Sequence, residues 1–597
     1  MSKHKKEITF SKYQEAIFNF IEHGDGNVVV EASAGAGKTL TLIHCISLID
    51  NDKSVLLTAF NKDISNELKR KTKEFANVSC STLHGLGLKM LKNNFPDKEL
   101  EIDEFKYRSY LNSNIKALSS INTFSLSKSD FFRYTDNILK YVDYGRCYLA
   151  QTVRDLDFIE SRYEIETIAD EKEVALDIIE WGKNDISTID YTDMIYLPNI
   201  LNCKPYGLLF DWIMVDEAQD LSIAQREIIL KCRKINTRMI FVGDREQCIY
   251  SFSSSDPESF DRLKSLPNTI SLPLSISYRC AKDIVSYAKR IVPTIEENND
   301  GRIGEIVEDC QLEDINDGDM ILCRNNAPLT QIYVQLIKEG KKCFIRGKDI
   351  GSNLKTIVKR TKMDELNVRL DKDGVFVRLY DGLFNQINDL MSRHNITYNE
   401  AVESSEVSSK IDMIKALEIL SEGINTSDEL IEKISAIFSD RKKGGISLST
   451  IHKAKGLEAK NVYIACKSLM PNSRATKDWE IKQEYNLMYV AYTRAKDRLG
   501  FIDETIFDAF TMRTSELTKT LKAKEKLVNY LLGKSERKVD TSNPYIAKDI
   551  VRHATKIIQP KKIEKVEKMS AASSMSNSDL ASFFLGRRKI MDTRKRY

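Results

Sequence analysis

The chain has 597 residues, of which 42% are hydrophobic and 30% are charged. This is the profile of a folded protein with more than one domain. Its 90 lysines and arginines nearly balance its 87 aspartates and glutamates, for a formal net charge of +3. Any nucleic-acid binding would therefore have to come from local basic surfaces. Collagen-like, mucin-like and mostly disordered proteins are excluded.

The cysteine pattern and the first residues bear on localisation. Eleven cysteines occur singly, with no CxxC pair and no zinc-type spacing, which predicts reduced thiols in an intracellular compartment. The segment MSKHKKEITF has positive charge but no apolar region behind it, and no window approaches 18 uninterrupted apolar residues. We therefore expect neither secretion nor a membrane partner.

Short apolar runs rich in β-branched residues recur along the chain, and amphipathic helical patterns separate them. The runs are GNVVVEAS, KSVLLTAF, FDWIMVDEA, TRMIFVGD, DMILCRNN, KKCFIRG, ISLSTIH and KNVYIAC. Strands that alternate with helices predict an α/β fold with parallel sheets. Two strand-poor stretches, at about residues 91–185 and 351–443, have helical periodicity. The prediction is two α/β domains, at 1–90 with 186–273 and at 274–350 with 444–510, each interrupted by a mainly helical insertion.

The end of the chain differs in composition from the rest. Residues 561–597 contain ten lysines and arginines against four aspartates and glutamates, with serine-rich MSAASSMSNS in their middle. Such a stretch is typical of a mobile linker. We assign residues 511–597 to a C-terminal extension that ends in a flexible basic tail.

A candidate phosphate site lies near the start of the chain. ASAGAGKT, from Ala32 to Thr39, follows an apolar run and precedes a helical pattern, with Ala32 in place of the usual first glycine. A glycine-rich turn between strand and helix lets backbone N–H groups wrap a phosphate chain, while the lysine supplies charge and the threonine a hydroxyl for Mg²⁺. The alternative is a glycine-rich turn that binds nothing. The residues that would hold the nucleotide here are Ala34, Gly35, Ala36, Gly37, Lys38 and Thr39.

The segment FDWIMVDEAQD supplies a second half for such a site. Its carboxylates follow an apolar strand, at the end where open parallel sheets bind ligands. Asp216 would hold Mg²⁺ through water, and Glu217 would orient or deprotonate the attacking water. An isolated acidic pair is usually solvated surface, but its position after a buried strand and downstream of the glycine-rich turn favours a catalytic role.

Together with further motifs, these segments resemble the superfamily 1 helicases of the UvrD/Rep/PcrA branch over about residues 9–505. The further motifs are FSKYQEAI, VLLTAFNKD, STLHGLG, GDREQCIYSF, ISYRC, TIHKAKGLEAKNVYI and YNLMYVAYTRAKDRL. The AFNK wording is similar to that of the F-box DNA helicases and their phage relatives. The resemblance implies two RecA-like domains, with ATP and Mg²⁺ at the site.

The same resemblance implies roles for single residues at the nucleotide. Gln14 would contact the adenine edge, Tyr278 would stack on adenine and Glu458 would face the ribose. Gln247 would couple the γ-phosphate to DNA, Arg279 would touch the γ-phosphate, and Arg494 would be the arginine finger. Ser277 departs from the family's asparagine before the tyrosine, and Leu40 stands where many relatives carry arginine.

A further set of residues would contact DNA by the same resemblance. Aromatic members of the set would stack on exposed bases. The alternative interpretation of the aromatic residues is that they pack in the core. For the histidines it is that they are hydrogen-bonded core residues. Residues 253–255 are serines where the family has RGA. The implied DNA contacts are Phe60, Asn61, Thr82, His84, Tyr250, Phe252, Thr450 and His452.

These features predict an ATP-dependent DNA translocase and helicase that acts on single strands and single-strand/duplex junctions. The KGLE wording resembles the 3′→5′ branch. The alternative is an ATP-dependent remodeller that strips or anchors proteins on DNA without unwinding duplex. RNA is a less favoured alternative to DNA as substrate, because nothing in the sequence selects for the 2′-OH. A fused nuclease is disfavoured, because the tail has no cluster of metal-binding carboxylates.

The tail contains one motif of its own. NSDLASFFLGRRK, from Asn577, places Leu580, Phe583 and Phe584 on one face of a helical turn. The pattern resembles the sliding-clamp-binding peptides QxxLxxFF, with Asn577 in the glutamine position. It predicts a replication clamp or another replication protein as partner. The alternatives are a terminal helix that folds back on the rest of the chain and a basic tail that holds DNA.

Overall fold

The structure of the protein is a computed structural model. It describes residues 9–59, 62–121, 126, 128–249, 258–366, 374–394, 401, 405–438, 444–472, 475 and 478–504. The chain divides into two compact units, which we describe separately. The described residues of the first unit fall within 9–308, 451–464 and 468–501, and those of the second within 309–450, 465–467 and 502–504. The domain bounds predicted above stay predictions.

Helices take up much of both units. In the first unit they are α1 (Lys12–His23), α2 (Lys38–Ser47), α3 (Lys62–Lys71), α4 (Leu83–Asn94), α5 (Lys106–Leu118), α6 (Lys128–Tyr148), α7 (Val153–Tyr163), α8 (Glu171–Asn184), α9 (Asp193–Ile200), α10 (Ile223–Lys231), α11 (Ser259–Lys264), α12 (Lys282–Ala288) and, late in the chain, α18 (Asp478–Tyr492). In the second unit they are α13 (Asn326–Lys338), α14 (Lys348–Arg360), α15 (Val375–His394), α16 (Ser405–Leu420) and α17 (Ser427–Ile437). Among the described helices, none is long and apolar enough to cross a membrane.

The strands of the chain are mostly short. They are β1 (Asn27–Ala32), β2 (Val55–Ala59), β3 (Val78–Thr82), β4 (Glu101–Ile102), β5 (Thr188–Ile189), β6 (Phe210–Val215), β7 (Arg233–Gly243), β8 (Thr269–Leu274), β9 (Ile276–Ser277), β10 (Glu296–Glu297), β11 (Glu305–Cys310), β12 (Met320–Cys323), β13 (Cys343–Ile345), β14 (Ile446–Thr450), β15 (Ala459–Ile464) and β16 (Ala495–Ile502). All eight apolar runs singled out in the sequence form strands. The prediction of an α/β fold with two parallel-sheet domains is confirmed.

The first sheet has the strand order β3-β2-β6-β7-β1-β8, and every neighbouring pair is parallel. Its central strands are the predicted apolar runs. The two edge strands, β3 and β8, were not predicted. Both are partly exposed along their length and carry small or polar residues, so neither presents the continuous apolar run that identifies a buried parallel strand.

Later strands of the chain are also paired in parallel within each unit. In the second unit, β14 lies between β12 and β13. In the first unit, β15 pairs with β16. The strand-poor stretches contain α5 to α8 and α14 to α17, as predicted. One small difference is the two-residue strand β4 inside the first stretch, which pairs with β5 just beyond it.

Alternation along the strands builds two cores on the two faces of the first sheet. Val29 of β1 and its register partner Phe241 of β7 face one core, together with the helices of the first helical stretch and α4, α9 and α10. Val28 and Val30 face the other core, against α1, α2 and α3. The site-bearing strand ends thus emerge from a sheet that is buried on both sides.

A buried charge network fastens the first helical stretch to this domain. Asp193, at the start of α9, accepts from Lys106 Nζ at 2.9 Å, from Arg146 Nη1 at 2.9 Å and from the Tyr107 hydroxyl at 2.6 Å. Arg146 also donates to Asp190 at 2.7 Å. Both cations are almost fully buried. Buried charges are tolerated only when they are paired and hydrogen-bonded, so each member depends on the others.

Asp193→Ala is expected to lower the free energy of unfolding of the first unit by about 3–5 kcal/mol, because it leaves two buried cations short of their shared acceptor. The change is measured as a shift in the midpoint of urea unfolding, and unfolding is monitored through the fluorescence of nearby Trp181. Lys183→Ala is the matched control, because it breaks a surface pair with Glu180 on α8 and surface pairs contribute little. Equal midpoints for the two variants would contradict the network's structural role.

Candidate nucleotide and DNA site

The predicted phosphate turn joins β1 to α2. Gly35 and Gly37 have φ of +73° and +84°, in the left-handed region that glycine adopts without strain. A Cβ on Gly35 would lie 2.5 Å from Cβ of Arg279 and 2.8 Å from the Ser277 hydroxyl oxygen. Only glycine fits at this approach, so the turn is packed closely against the segment that carries Tyr278 and Arg279.

Lys38 and the acidic pair meet beside this turn. Lys38, the first residue of α2, lies with its Nζ 2.7 Å from Oε2 of Glu217. The Thr39 hydroxyl lies 3.4 Å from Oδ2 of Asp216. The sequence predicted these four residues as parts of one site, and the structure brings them together at the ends of β1 and β6.

Glu217 has a left-handed backbone, with φ of +54°, which is strained for a residue with a side chain. Its surroundings hold it there: its amide donates to Asp216 Oδ1 at 3.0 Å, and its carboxylate accepts from Gln219 Nε2 at 2.8 Å as well as from Lys38. The strain therefore places the carboxylate toward the phosphate turn.

Electrostatics separate the two neighbouring carboxylates. Burial and the negative charge of Glu217 raise the pKa of Asp216. Burial acts in the same direction on Glu217, but the charges of Lys38 and Lys455 outweigh it and lower the pKa of Glu217. Burial tends to lower the pKa of Lys38, and the three acidic neighbours Glu217, Asp216 and Asp244 raise it overall. Glu217 is thus ionised and Lys38 charged near neutral pH.

Arg494 comes to the same site from the end of α18. It is buried, and its guanidinium donates to Gln247 Oε1 at 3.1 Å, to the Val490 carbonyl at 2.9 Å and to the Leu457 carbonyl at 3.1 Å. Burial and the charge of Arg279 lower its pKa to about 10, which leaves it protonated. The predicted finger and the predicted coupling glutamine are therefore in direct contact.

Lys455 and Asp220 form a second link in the site that the sequence reading did not assign. Lys455 Nζ lies 2.8 and 2.6 Å from the two carboxylate oxygens of Asp220 and 2.7 Å from the carbonyl oxygen of Gln247. Both residues stand inside motifs that were recognised, TIHKAKGLE and DEAQD. Their charge and their place in those motifs were the features of the sequence that could have identified them as site residues.

Arg279 and Glu458 are paired with each other. Arg279 Nε lies 2.7 Å from Glu458 Oε2, and Lys496 Nζ lies 2.5 Å from Glu458 Oε1. Tyr278 donates its amide to the Gly35 carbonyl at 2.9 Å, while its side chain is part-exposed. The structure therefore places Tyr278 and Arg279 beside the phosphate turn, and Glu458 is linked to it through Arg279. Their roles at the γ-phosphate, the ribose and the adenine stay predictions.

Gln14 lies in the first turn of α1. Its side chain closes a capping box with Ser11, accepting from the Ser11 amide at 3.0 Å, and it donates to the Thr41 hydroxyl at 3.0 Å. A Cβ on Gly37 would lie 3.7 Å from Nε2 of Gln14. Gln14 thus sits at the edge of the phosphate turn and caps a helix there. Its contact with adenine stays a prediction.

The predicted DNA contacts that the structure describes lie at strand ends. Thr82 caps α4 by accepting from the Gly85 amide at 3.1 Å, and His84 follows it, half-buried, with a pKa that burial lowers. His452, in the first unit, is half-buried in a short turn. Thr450 is buried at the end of β14 in the second unit. None of these positions tests a contact with DNA.

Several predicted residues lie outside the described residues. They are Phe60, Asn61, Tyr250 and Phe252 of the DNA set and Leu580, Phe583 and Phe584 of the tail motif. The basic tail lies outside as well. Their roles stay predictions.

The residues present fit a nucleoside triphosphate with a divalent cation. The phosphate turn joins a strand to a helix N-terminus, where backbone N–H groups can bind phosphate, and Lys38 lies there as the first residue of α2. Thr39 and Asp216 would hold Mg²⁺, whose preferred ligands are oxygens. Within the described ranges, no group of three or more His, Cys, Asp and Glu side chains is placed to bind a metal ion.

Two family models match the chain. The UvrD/REP helicase N-terminal domain matches residues 13–268, and the UvrD-like helicase C-terminal domain matches residues 352–504. The first match covers the phosphate turn and the acidic pair, and the second covers Glu458 and Arg494.

Named relatives are similar to the chain over about four-fifths of its length. F-box DNA helicase protein 1 of Schizosaccharomyces pombe is 25% identical over 81% of this chain and 56% of its own length. ATP-dependent DNA helicase Rep of Buchnera aphidicola from Acyrthosiphon pisum is 22% identical over 81% of this chain and 93% of its own length. F-box DNA helicase 1 of Gallus gallus is 24% identical over 82% of this chain and 48% of its own length. The chain thus spans about half the length of the F-box relatives and nearly all of Rep. With both domain models matched and the site assembled, the chain belongs to the UvrD/Rep family of superfamily 1, the ATP-dependent DNA helicases.

Proposed function

We propose that the protein hydrolyses ATP in order to move 3′→5′ along single-stranded DNA and to separate strands at single-strand/duplex junctions. The observation that carries the proposal is the meeting of Lys38, Glu217, Gln247 and Arg494 in one hydrogen-bonded site. A site of this composition suits phosphoryl transfer, in which positioned charges stabilise the transferring group.

The paired state of Lys38 and Glu217 suggests how binding prepares the reaction. Phosphate oxygens compete with Glu217 for the Lys38 ammonium, since both are anionic acceptors at hydrogen-bond distance. Once Lys38 turns to phosphate, the Glu217 carboxylate is free to accept a proton from the attacking water. Mg²⁺, held by Thr39 and Asp216, would supply charge neutralisation on the phosphates.

Arg494 and Gln247 form the second half of the proposed mechanism. Arg494 would stabilise the charge that develops on the transferring phosphoryl group, as an arginine finger does. Because Arg494 donates to Gln247, any change in the partner of Arg494 also alters the hydrogen bonding of Gln247. Gln247 precedes the segment predicted to meet DNA. We propose that this contact couples hydrolysis to the grip on DNA.

Glu217→Gln is expected to lower DNA-stimulated ATP hydrolysis by about a thousandfold or more, because an amide cannot take the proton from water. Lys38→Ala is expected to lose activity similarly, through loss of charge on the phosphates. Steady-state phosphate release measures both. Glu227→Gln, a surface carboxylate on α10 paired with Arg226, is the control. Near-normal turnover in Glu217→Gln would remove Glu217 as the catalytic base.

Arg494→Ala is expected to depress hydrolysis by about two or more orders of magnitude while single-strand binding stays nearly intact, because a finger acts on the reacting phosphate. The control is Arg498→Ala, in the same segment but paired at the surface with Glu305. Hydrolysis and oligonucleotide anisotropy are measured in parallel. If DNA affinity fell as far as turnover, a structural role would be the better account of Arg494.

The direction of movement is tested with duplexes that carry a single tail. We expect ATP-dependent strand displacement from a 3′-tailed duplex and none from a 5′-tailed one, with Glu217→Gln as the inactive control. Displacement from the 5′-tailed duplex alone would reverse the proposed polarity. If ATP turnover needs single strands but no duplex opens, while a bound protein is still removed, the remodelling alternative would replace the helicase proposal.

The proposal extends to partners and localisation. DNA as partner is supported by the family, and an intracellular location is supported by the similarity to named DNA helicases. A sliding clamp as partner of Leu580, Phe583 and Phe584 rests on sequence alone. Titration of a 573–597 peptide against a replication clamp is its test, and no binding at high micromolar concentration would exclude it.

A further inference from the structure

Tyr489 lies in α18, five residues before Arg494, and is fully buried. Its hydroxyl oxygen accepts from the backbone N–H of Ala34 in the phosphate turn at 2.9 Å. The same hydroxyl lies 3.3 Å from Asp244 Oδ2, to which it donates. A phenol can accept and donate at once, so it can bridge these two groups. Burial and the nearby charge of Asp244 raise the pKa of Tyr489, so the hydroxyl keeps the proton that it donates.

Asp244, just after β7, connects Tyr489 to the coupling glutamine. Its Oδ2 accepts from Gln247 Nε2 at 2.7 Å, and its Oδ1 accepts from the Glu246 amide at 3.1 Å. Its own amide donates to Gln219 Oε1 at 3.1 Å. The carboxylate is almost fully buried. Each of these donors offsets part of the cost of burying a charge.

These contacts fix which way the Gln247 amide faces. An ionised carboxylate only accepts and a guanidinium only donates. Gln247 must therefore turn its NH₂ group to Asp244 and its carbonyl oxygen to Arg494, and the reverse orientation would leave both neighbours facing the wrong atom. A continuous chain of hydrogen bonds thus runs from Ala34 through Tyr489, Asp244 and Gln247 to Arg494.

We infer that Tyr489 is a positioning residue for the ATPase reaction, whose hydroxyl ties the phosphate turn to Asp244 and through it sets Gln247 against Arg494. The inference deepens the proposed function and rests on it. We do not assign Tyr489 a contact with the reacting atoms. It acts by fixing the position of the phosphate turn relative to Gln247 and Arg494, the pair proposed to sense and stabilise the transferring phosphoryl group.

Replacement of Tyr489 by phenylalanine tests the hydroxyl while keeping the ring in the core. We expect Tyr489→Phe to lower the kcat of single-strand-stimulated ATP hydrolysis by about 10- to 100-fold, the size of one lost hydrogen bond to a charged group. The KM for ATP is expected to change by less than about threefold, because Lys38 and the turn itself still bind the phosphates.

Tyr492→Phe is the matched control. Tyr492 is buried in the same helix, three residues on, and its ring packs against Tyr287 and Phe501 and not against the site. We expect its kcat and KM to stay within about twofold of those of the unchanged protein. A general loosening of α18 would affect both variants, whereas loss of the bridge affects only Tyr489→Phe.

A double-mutant cycle separates positioning from packing. If Tyr489 acts through Asp244 and Gln247, then adding Tyr489→Phe to Gln247→Ala costs little further kcat, since the group that it positions is already gone. Fully additive losses, or a Tyr489→Phe variant with unchanged kcat, would overturn the inference. The unchanged protein serves as the check on the proposed function: if it shows no DNA-stimulated ATP hydrolysis, that function fails first and the inference falls with it.

Discussion

The need to pair buried charge organises the nucleotide site. Lys38, Asp216, Glu217, Asp220 and Asp244 all lie in or against the end of one sheet, where the three aspartates are buried and Lys38 and Glu217 are partly buried. A single unpaired charge in such a place is costly, so the site is stable only as a set. Pairing also explains why the acidic residues titrate apart: the cations Lys38 and Lys455 keep Glu217 ionised, while burial raises the pKa of Asp216 and brings that of Asp244 to about 6.

The charge pairing stabilises a strained backbone conformation at Glu217. A left-handed conformation at a residue with a side chain costs of order 1–3 kcal/mol and persists only where the surroundings determine it. Here an ion pair to Lys38 and hydrogen bonds to Gln219 and Asp216 supply that determination. This backbone and these contacts hold the carboxylate toward the phosphate turn, where we propose that it acts as the general base. Strain and charge therefore serve one arrangement.

How much of this was visible in the sequence depends on the range of the interaction. The central strands and the two motifs of the candidate phosphate site are local patterns. The strands were predicted correctly, and the two motifs lie side by side, while their role at phosphate stays a prediction. Edge strands such as β3 and β8 lack the buried apolar run and were missed. The bridge from Tyr489 to Asp244 joins residues 245 positions apart, and that from Lys455 to Asp220 joins residues 235 apart. No periodicity or spacing in one sequence reports such a pairing, because it arises only when the chain has folded.

Contacts between residues far apart in the sequence also hold the predicted DNA surface of the first unit. Thr82 and His84 begin α4, whose Gly87 packs so closely on α9 that a Cβ there would lie 1.9 Å from the Met194 carbonyl oxygen. Helix α9 in turn starts at Asp193, the shared acceptor of the buried network that holds α5 and α6. Close packing and paired charge thus leave little freedom between these elements. The strand end that carries Thr82 and His84 is consequently connected to the helical stretch through α4 and α9, by close packing at one step and by paired buried charge at the next.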